Sequence, residues 1–494
     1  MGEYFGTDGI RGVAGELLTP EFAVQVGRAA AVVLAQKAGP HPLFVIGRDT
    51  RLSGPMLEAA LTAGLTSGGA RVEAAGVIPT PGLAALVQQR GADAGIVISA
   101  SHNPFADNGI KFFSSAGVKL SDEEEAEIEA HIQHHDLQSL AGADFGSAEQ
   151  LEGAVEGYVW DVVKRIPLDL SGMKIALDCA HGAMHVAAPL ALEESGAQVT
   201  VLFDQPDGTN ITAGCGSTHI GALQQVMAGD GYDLGLAFDG DGDRVLAVDA
   251  HGVLVDGDFI IAILAKHLKA QGKLRGDTVV TTVMTNLGFH LAMEREGIEV
   301  LVTPVGDRYV VAEMLKGDYL LGGEQSGHII NRDVSTTGDG LATSLLLLQA
   351  LREMDVPLAE AASVMERLPQ RLVNVRVRDL ADLDGAAAVW AAVDQETRRL
   401  EGSGRVLVRP SGTEPLVRVM AEASTQDDVD AVCSRIVAVV EEHLPGRLTV
   451  ASASGRLTCS EDAPPHAPAA PPAQRPGLFN RGWAVPGSVR TDHC

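Results

Sequence analysis

Residues 94–104, AGIVISASHNP, begin as an uninterrupted apolar run and end in a cluster of small polar groups with a proline behind it. The run reads as a buried strand that opens into a loop. The theme recurs in DLGLAFDGDGDR (233–244) and YLLGGEQSGH (319–328), each carrying an apolar run into a Gly-rich polar loop, with a helical pattern expected beyond it. Further apolar runs, PLFVIGRD (42–49), MKIALDCAHG (173–182), TVVTTVMTN (278–286) and IEVLVTPVGDR (298–308), alternate with Ala- or Glu-rich segments such as EEEAEIEAHI (123–132). Strands alternating with helices predict parallel-sheet α/β domains, whose ligands lie beyond the carboxyl ends of the strands. Each of the three polar loops occupies that position.

The chain has 494 residues, 46% of them apolar, enough for about three domains on length alone and for several buried cores. A formal net charge of −28 excludes a basic nucleic-acid footprint, because no excess of cations is available to neutralise phosphates. An anionic substrate must therefore meet a local basic pocket inside an acidic molecule. The opening MGEYFGTDGIRG carries neither a secretion nor a myristoylation pattern, and LATSLLLLQAL (341–351) falls well short of a membrane span. Five cysteines, Cys179, Cys215, Cys433, Cys459 and Cys494, show no metal-like spacing, and an odd number fits a disulfide framework poorly. The expectation is a cytoplasmic protein with free thiols and neither a membrane nor a nucleic-acid partner.

Small and polar residues in AGADFGSAEQLEGA (141–154) suggest a boundary near 150, with others near 255 and near 370, where LPQRLVNVRVRD opens a different pattern. From there to about 446 the chain reads as a small α+β domain. Beyond HLPGRLTV (443–450) it becomes Pro/Ala-rich, as in SEDAPPHAPAAPPAQRPGLFNRG, and cannot bury a core, so the tail is expected to be disordered.

Four loops carry chemistry. In FDGDGDR, Asp239, Asp241 and Asp243 recur at every second residue, which places their side chains on one side of an extended chain, and Gly240 with Gly242 lets the backbone curl around a small ion. Oxygen-only ligands suit Mg²⁺ or Ca²⁺. An EF-hand requires Gly and Glu where this chain has Arg244 and Ala250, so it is excluded. Mg²⁺ completes its shell with water and phosphate oxygens, so a phosphate is expected beside the triplet. Ser101 can carry it; on its own it would read as a helix cap, but His102, Asn103 and the nearby Lys111 in DNGIKFF give it polar company. Lys111 can carry a proton or bridge phosphate oxygens. RPSGTEPLVR (409–418) reads as an anion cradle, with Arg409 and Arg418 as planar forks, Ser411 and Thr413 as hydroxyls and Gly412 allowing backbone N–H groups to converge. In GGEQSGH, Glu324 and Ser326 can read sugar hydroxyls and His328 can act as acid or base. GTDGIRG and GRDTRLSG add Arg11, Arg48 and Ser53 near strand ends. Together these parts predict phosphoryl transfer on a phosphorylated sugar.

ASHNP, FDGDGDR, GEQSGH and RPSGTEPLVR, in this order and spacing, resemble the four signature loops of the α-D-phosphohexomutase superfamily, over residues 4 to about 445. YFGTDGIRG, GEQSGH and VGDRYV resemble most the bacterial members that act on glucosamine phosphates. The resemblance implies three related mixed α/β sandwich domains and a smaller α+β C-terminal domain around a central cleft: a phosphoserine domain at 1–150, a metal-binding domain at 151–255, a sugar-binding domain at 256–370 and a phosphate-binding domain at 371–446. The tail at 447–494 has no counterpart in the family. By resemblance Ser101 is the phosphoserine and, with Asp239, Asp241 and Asp243, a ligand of Mg²⁺. Glu324 and Ser326 contact the sugar, and Arg409, Ser411, Gly412, Thr413 and Arg418 grip the phosphate not being transferred. Lys111, His328 and Arg11 supply acid/base and charge-stabilising groups. The implied reaction isomerises glucosamine 6-phosphate to glucosamine 1-phosphate through a 1,6-bisphosphate, which also serves as activator, and feeds UDP-N-acetylglucosamine and cell-wall synthesis. Whether a kinase or self-phosphorylation first loads Ser101 is left open by the sequence. The rivals are a phosphomannomutase or phosphoglucomutase, against which Gln325 weighs, and a Mg²⁺-dependent sugar-phosphate binding protein without turnover.

Overall fold

A computed structural model describes residues 3–6, 8–134, 144–229, 231–400, 402–411 and 416–444. Gly412 and Thr413 of the expected cradle, the whole 447–494 tail and Cys459 with Cys494 lie outside the described residues. Four sheets follow one another along the chain. The first has seven strands in the spatial order Phe5–Gly6, Gly9–Val13, Asp107–Ser114, Ala94–Ile98, Leu43–Arg48, Arg71–Val77 and Ala148–Gln150. The second has five, Leu254–Val255, Val245–Asp249, Leu234–Phe238, Lys174–Asp178 and Gln198–Leu202. The third has four, Glu299–Thr303, Thr278–Thr282, Leu321–Gly323 and Ile329–Asn331. The fourth is an antiparallel ribbon of Gln370–Arg376, Leu416–Ala423 and Gly404–Pro410.

Alternation along the strands builds the layers of the first sheet. Phe44, Ile46, Ile96, Ile98, Ile110 and Phe112 join the helices Pro20–Ala38, Gly54–Ser67 and Asp122–His134 in one core. Val45, Val97 and Phe113, on the opposite face, join the helix Thr80–Arg90 in another. The period of two thus sends successive side chains into two separate cores and makes an α/β/α sandwich. The mixed α/β class expected from the sequence is the one found, with the smaller C-terminal domain built on the three-stranded ribbon.

One expectation is corrected. Each polar loop leads into a second strand, not a helix, and that strand returns antiparallel: Ala94–Ile98 pairs with Asp107–Ser114, Leu234–Phe238 with Val245–Asp249, and Leu321–Gly323 with Ile329–Asn331. These three sheets are therefore mixed, parallel in part and with an antiparallel hairpin at each of these loops, and the first and second carry further antiparallel pairs, among them Phe5–Gly6 with Gly9–Val13 and Val245–Asp249 with Leu254–Val255. The returning runs NGIKFF, VLAVD and IIN are short and apolar, and periodicity does not separate such runs from buried helix. The loops still sit at the carboxyl ends of strands, now as hairpin connections.

The second and third sheets share one continuous core, in which Phe238, Ile261, Phe289, Leu341 and Leu345 belong to the same apolar cluster. The fourth sheet meets the third across a polar seam instead. Glu422, wholly buried, accepts from Leu287 N at 3.0 Å and Asn286 Nδ2 at 3.3 Å, while Asn286 also exchanges hydrogen bonds with the backbone of Leu368. Cys179, Cys215 and Cys433 are buried free thiols. Among the described residues no helix is long and apolar enough to cross a membrane.

Candidate active site

Ser101, in the loop that follows the strand Ala94–Ile98, sits in the left-handed region at φ 52°, which is uncommon for a residue with a side chain. Only 1% of it is exposed, and its Oγ donates to Asp239 Oδ2 at 2.6 Å. The two residues come from different sheets, so the hairpin loops of the first and second sheets meet tip to tip. Gly240 makes that approach feasible: a Cβ there would stand 2.4 Å from the Ser101 carbonyl oxygen.

Asp239, Asp241 and Asp243 are all buried, and one carboxylate oxygen from each lies within 4.8 Å of the others. Asp241 Oδ2 accepts from Lys111 Nζ at 2.8 Å and from Thr80 Oγ1 at 2.7 Å. Asp241 Oδ1 and Asp243 Oδ1 are buried with no hydrogen-bond partner. Burial, and after it the carboxylates of Asp243 and Asp241, push the Asp239 pKa well above the ordinary carboxylate range. Burial acts the same way on Asp241, but the Lys111 ammonium outweighs it and holds that carboxyl low. Three crowded carboxylates with two buried, unpartnered oxygens are a donor set that fits a hard divalent cation.

Lys111, from the returning strand Asp107–Ser114, is itself buried. Burial opposes its charge, yet Asp241, Asp8 and Asp243 together raise its pKa above that of a free lysine. Asp8 Oδ2 lies 3.4 Å from Lys111 Nζ and also pairs with Arg11, while Asp8 Oδ1 pairs with Lys119. Lys119 pairs in turn with Asp307 of the third domain at 2.7 Å. His328 Nε2 stands 3.8 Å from both Asp307 Oδ2 and Asp243 Oδ2, and so links the Asp307 end of this network back to the Asp243 carboxylate that faces Lys111. Gly338 packs on the His328 ring so tightly that a Cβ would come within 2.4 Å of it. His102, beside Ser101, has its pKa lowered to about 4 by burial, by Arg244 and by Arg11, so its ring is neutral at neutral pH. Its Nδ1 therefore accepts from Arg244 NH1 at 3.0 Å.

The remaining expected residues are distributed around this cluster. Glu324 is half-buried, accepts from Gly306 N at 3.2 Å and sits on the same short loop as His328, with Ser326 exposed beside it. Arg409 and Arg418 are paired across adjacent strands of the fourth sheet, and Arg418 NH2 donates to Ser411 Oγ at 3.4 Å. Among the described residues neither guanidinium has a carboxylate partner, and both Nε atoms are buried without an acceptor. Burial and the neighbouring Arg418 lower the Arg409 pKa. Two like charges placed directly opposite destabilise a sheet, and an anion between them would relieve that. Among the described residues, no hydrogen bond joins this pair to the Ser101 cluster.

Sequence reasoning named Arg48 and Ser53 in GRDTRLSG, but Arg48 pairs with Glu58 at 2.7 Å and Ser53 Oγ accepts from Asn108 Nδ2. The site uses Asp49 and Arg51 instead. It also uses Asp8, Thr80, Lys119, Arg244 and Asp307, none of which the sequence singled out as site residues.

Four family profiles cover most of the chain: phosphoglucomutase/phosphomannomutase alpha/beta/alpha domain I over residues 2–139, domain II over 156–252, domain III over 256–368 and the C-terminal domain over 372–439. The phosphoglucosamine mutase of Desulforudis audaxviator is 53% identical over 444 residues, covering 90% of this chain and 98% of the relative. That of Bacillus subtilis is 50% identical over 446 residues, covering 90% and 99%. A phosphoglucomutase/phosphomannomutase family protein from Burkholderia thailandensis superposes with a TM-score of 0.76 at 24% identity, over 90% of this chain and 99% of that one, a likeness of fold. The chain thus belongs to the phosphoglucomutase/phosphomannomutase family and, within it, groups with the bacterial phosphoglucosamine mutases.

Proposed function

We infer that the protein is an isomerase that interconverts glucosamine 6-phosphate and glucosamine 1-phosphate, and so supplies precursor for UDP-N-acetylglucosamine and the cell wall. The observation that carries the chemistry is Ser101 itself, buried in a left-handed turn with its Oγ 2.6 Å from the Asp239 carboxylate and the Lys111 ammonium one carboxylate further on.

In this reading phospho-Ser101 is the phosphoryl donor. The Oγ–P bond breaks and a bond from phosphorus to the sugar O1 forms, while the proton of that hydroxyl passes through an acid/base group to the serine oxygen. Lys111 and His328 line the two sides of the cluster for that work, and Arg11 adds positive charge where negative charge develops. The resulting 1,6-bisphosphate turns over, and the second transfer runs in reverse from O6 to Ser101. Asp239, Asp241 and Asp243, with the phosphate on Ser101, would hold Mg²⁺, which when bound neutralises the phosphoryl oxygens. Glu324 and Ser326 read sugar hydroxyls. Arg409, Ser411, Gly412, Thr413 and Arg418 hold the phosphate that stays in place, at either end of the bisphosphate in turn. The divisions near 150, 255 and 370 separate phosphoserine, metal, sugar and phosphate-cradle domains.

Mass spectrometry of the purified protein, together with turnover assays on glucosamine, glucose and mannose 6-phosphates, tests this. One phosphate on Ser101 with kcat/KM greatest for glucosamine 6-phosphate is the expected result. A serine that stays unmodified after incubation with a sugar 1,6-bisphosphate and Mg²⁺, with no isomerisation, overturns it. A greater kcat/KM on glucose or mannose 6-phosphate overturns the sugar assignment alone.

A further inference from the structure

Arg51 is among the largest fully buried side chains of the molecule, and every N–H of its guanidinium has an acceptor. Its Nε donates to Asp49 Oδ2 at 2.8 Å. NH1 donates to the carbonyls of Pro104 and Asp107, the latter at 3.0 Å. NH2 donates to the carbonyls of Ser101 at 2.9 Å and Asn103 at 2.8 Å. Five donors in one rigid fork thus tie four carbonyls of the 101–107 loop to one point. Asp49, whose side chain is as fully buried as that of Arg51, completes the clamp from the other side: its Oδ2 accepts from Ser99 Oγ at 2.6 Å, and Ser99 Oγ accepts from Ser101 N at 2.9 Å.

Two properties of this clamp go beyond holding a loop together. It grips Ser101 by its carbonyl and its N–H, the two groups that hold the φ of 52° and hence the direction in which the Cα–Cβ bond leaves the backbone. A left-handed residue with a side chain is disfavoured and persists only where its surroundings over-determine it. Furthermore, none of the clamp's bonds involves Ser101 Oγ. The clamp therefore holds the Ser101 backbone, and the Cα–Cβ bond that carries Oγ, both when Oγ is a hydroxyl donating to Asp239 Oδ2 and when it is a phosphoester that cannot donate.

We propose that Arg51, through Asp49 and Ser99, is the positioning residue that keeps Ser101 aimed while it carries no phosphoryl group, and thereby sets how often the sugar bisphosphate is captured and how often it escapes. This rests on the reading of Ser101 as phosphoryl carrier. In the second transfer the sugar O6–P bond breaks, the Oγ–P bond forms, and the hydroxyl proton of Ser101 goes to the sugar oxygen through the acid/base group. That step needs Oγ in line with a phosphate that has just been reoriented, and a misplacement of about 1 Å costs roughly 100-fold. A slower capture gives the bisphosphate time to leave and strands the enzyme unphosphorylated. Turnover then depends on bisphosphate added from outside.

The test uses the full chain with Arg51→Lys, which keeps the charge but has too few donors for the four carbonyls, and with Ser99→Ala, which removes one link. Glucosamine 6-phosphate turnover is measured with and without added glucose 1,6-bisphosphate, alongside thermal melting and the phosphate content of Ser101. Folded Arg51→Lys is expected to lose about 100-fold in kcat with KM within about threefold of wild type. Added bisphosphate is expected to recover at least tenfold of that loss, and Ser99→Ala to shift in the same direction by less. A folded Arg51→Lys with wild-type turnover, or one whose loss is the same with and without bisphosphate, overturns the proposal. If Arg51→Lys does not fold, Ser99→Ala decides by the same criterion. A wild-type protein with neither phosphate on Ser101 nor turnover overturns the underlying reading, and the role of Arg51 with it.

Discussion

Lys111 Nζ lies 2.8 Å from Asp241 Oδ2, and both side chains are almost wholly shut off from solvent. The pair is the electrostatic centre of the site, since Asp8 and Asp243 also face the ammonium at 3.4 and 3.9 Å. Removing one partner of a buried pair leaves an uncompensated charge, which costs about 3–5 kcal/mol. Lys111→Met is expected to lose about that much stability in denaturant titrations without divalent cation. Adding Mg²⁺ should restore part of it, because the cation neutralises the same carboxylates, and kcat should remain at least 100-fold down. A variant as stable as wild type in chelator would show that the carboxylates are not jointly charged.

Gly240, between Asp239 and Asp241, packs against the Ser101 backbone, where a Cβ would stand only 2.4 Å from the serine carbonyl oxygen. Gly240→Ala must push the two loops apart. The expected result is a drop of roughly 100-fold in kcat with the melting temperature changed by only a few degrees, measured by turnover and calorimetry.

Arg409 and Arg418 sit opposite each other with no carboxylate between them among the described residues. Arg418→Ala should raise KM for glucosamine 6-phosphate by ten- to a hundredfold, because a charge-assisted pair of hydrogen bonds to phosphate is worth about 1.5–3 kcal/mol. Stability without substrate should be unchanged or slightly higher, since a like-charge repulsion is removed. Steady-state kinetics and chemical denaturation, done in parallel, separate the two effects.

Asp258, in the first turn of the helix Gly257–Ala270, has its pKa raised to about 7 by burial, against the Asn286 N–H it accepts at 2.9 Å and with the Glu422 carboxylate adding to the rise. An unfolded aspartate titrates near 3.9. Between those values the folded protein holds a proton that the unfolded chain has lost, so the stabilisation is complete below about pH 4 and is lost as pH rises through about 7. Asp258→Asn should therefore be more stable than wild type at pH 8, on the order of 2 kcal/mol, with the gap closing toward pH 5. Urea midpoints across that range measure it, and parallel curves for the two proteins would show that Asp258 does not titrate there.

The sequence made some of this legible and hid the rest for physical reasons. The Asp triplet was visible because alternate spacing in extended chain is a local property, and the structure keeps all three side chains together. The strands before each loop were visible as apolar runs. Their returning partners were not, since short, mostly apolar runs such as these fit a strand or a buried helix equally well. Arg48 and Arg51 look equivalent as letters, yet the strand Leu43–Arg48 stops between them, so one turns out to Glu58 and the other turns in beneath Ser101. Asp8, Lys119 and Asp307 come from distant parts of the chain, and only the folded arrangement makes them neighbours.

The different character of the two inter-sheet junctions has a mechanical consequence. Splitting the continuous core of the second and third sheets would expose apolar surface at about 25 cal/mol per Å² with nothing in return. Opening the seam at Glu422, Asn286 and Leu287 trades hydrogen bonds for water, at a net cost of only about 0.5–1.5 kcal/mol each. The molecule is therefore stiffer where the loops of Asp239 and Glu324 attach, and more compliant where the sheet of the arginine pair does. On the proposed mutase reading, the compliant joint is the one that lets go of a phosphate at one end of a sugar and closes again on the other.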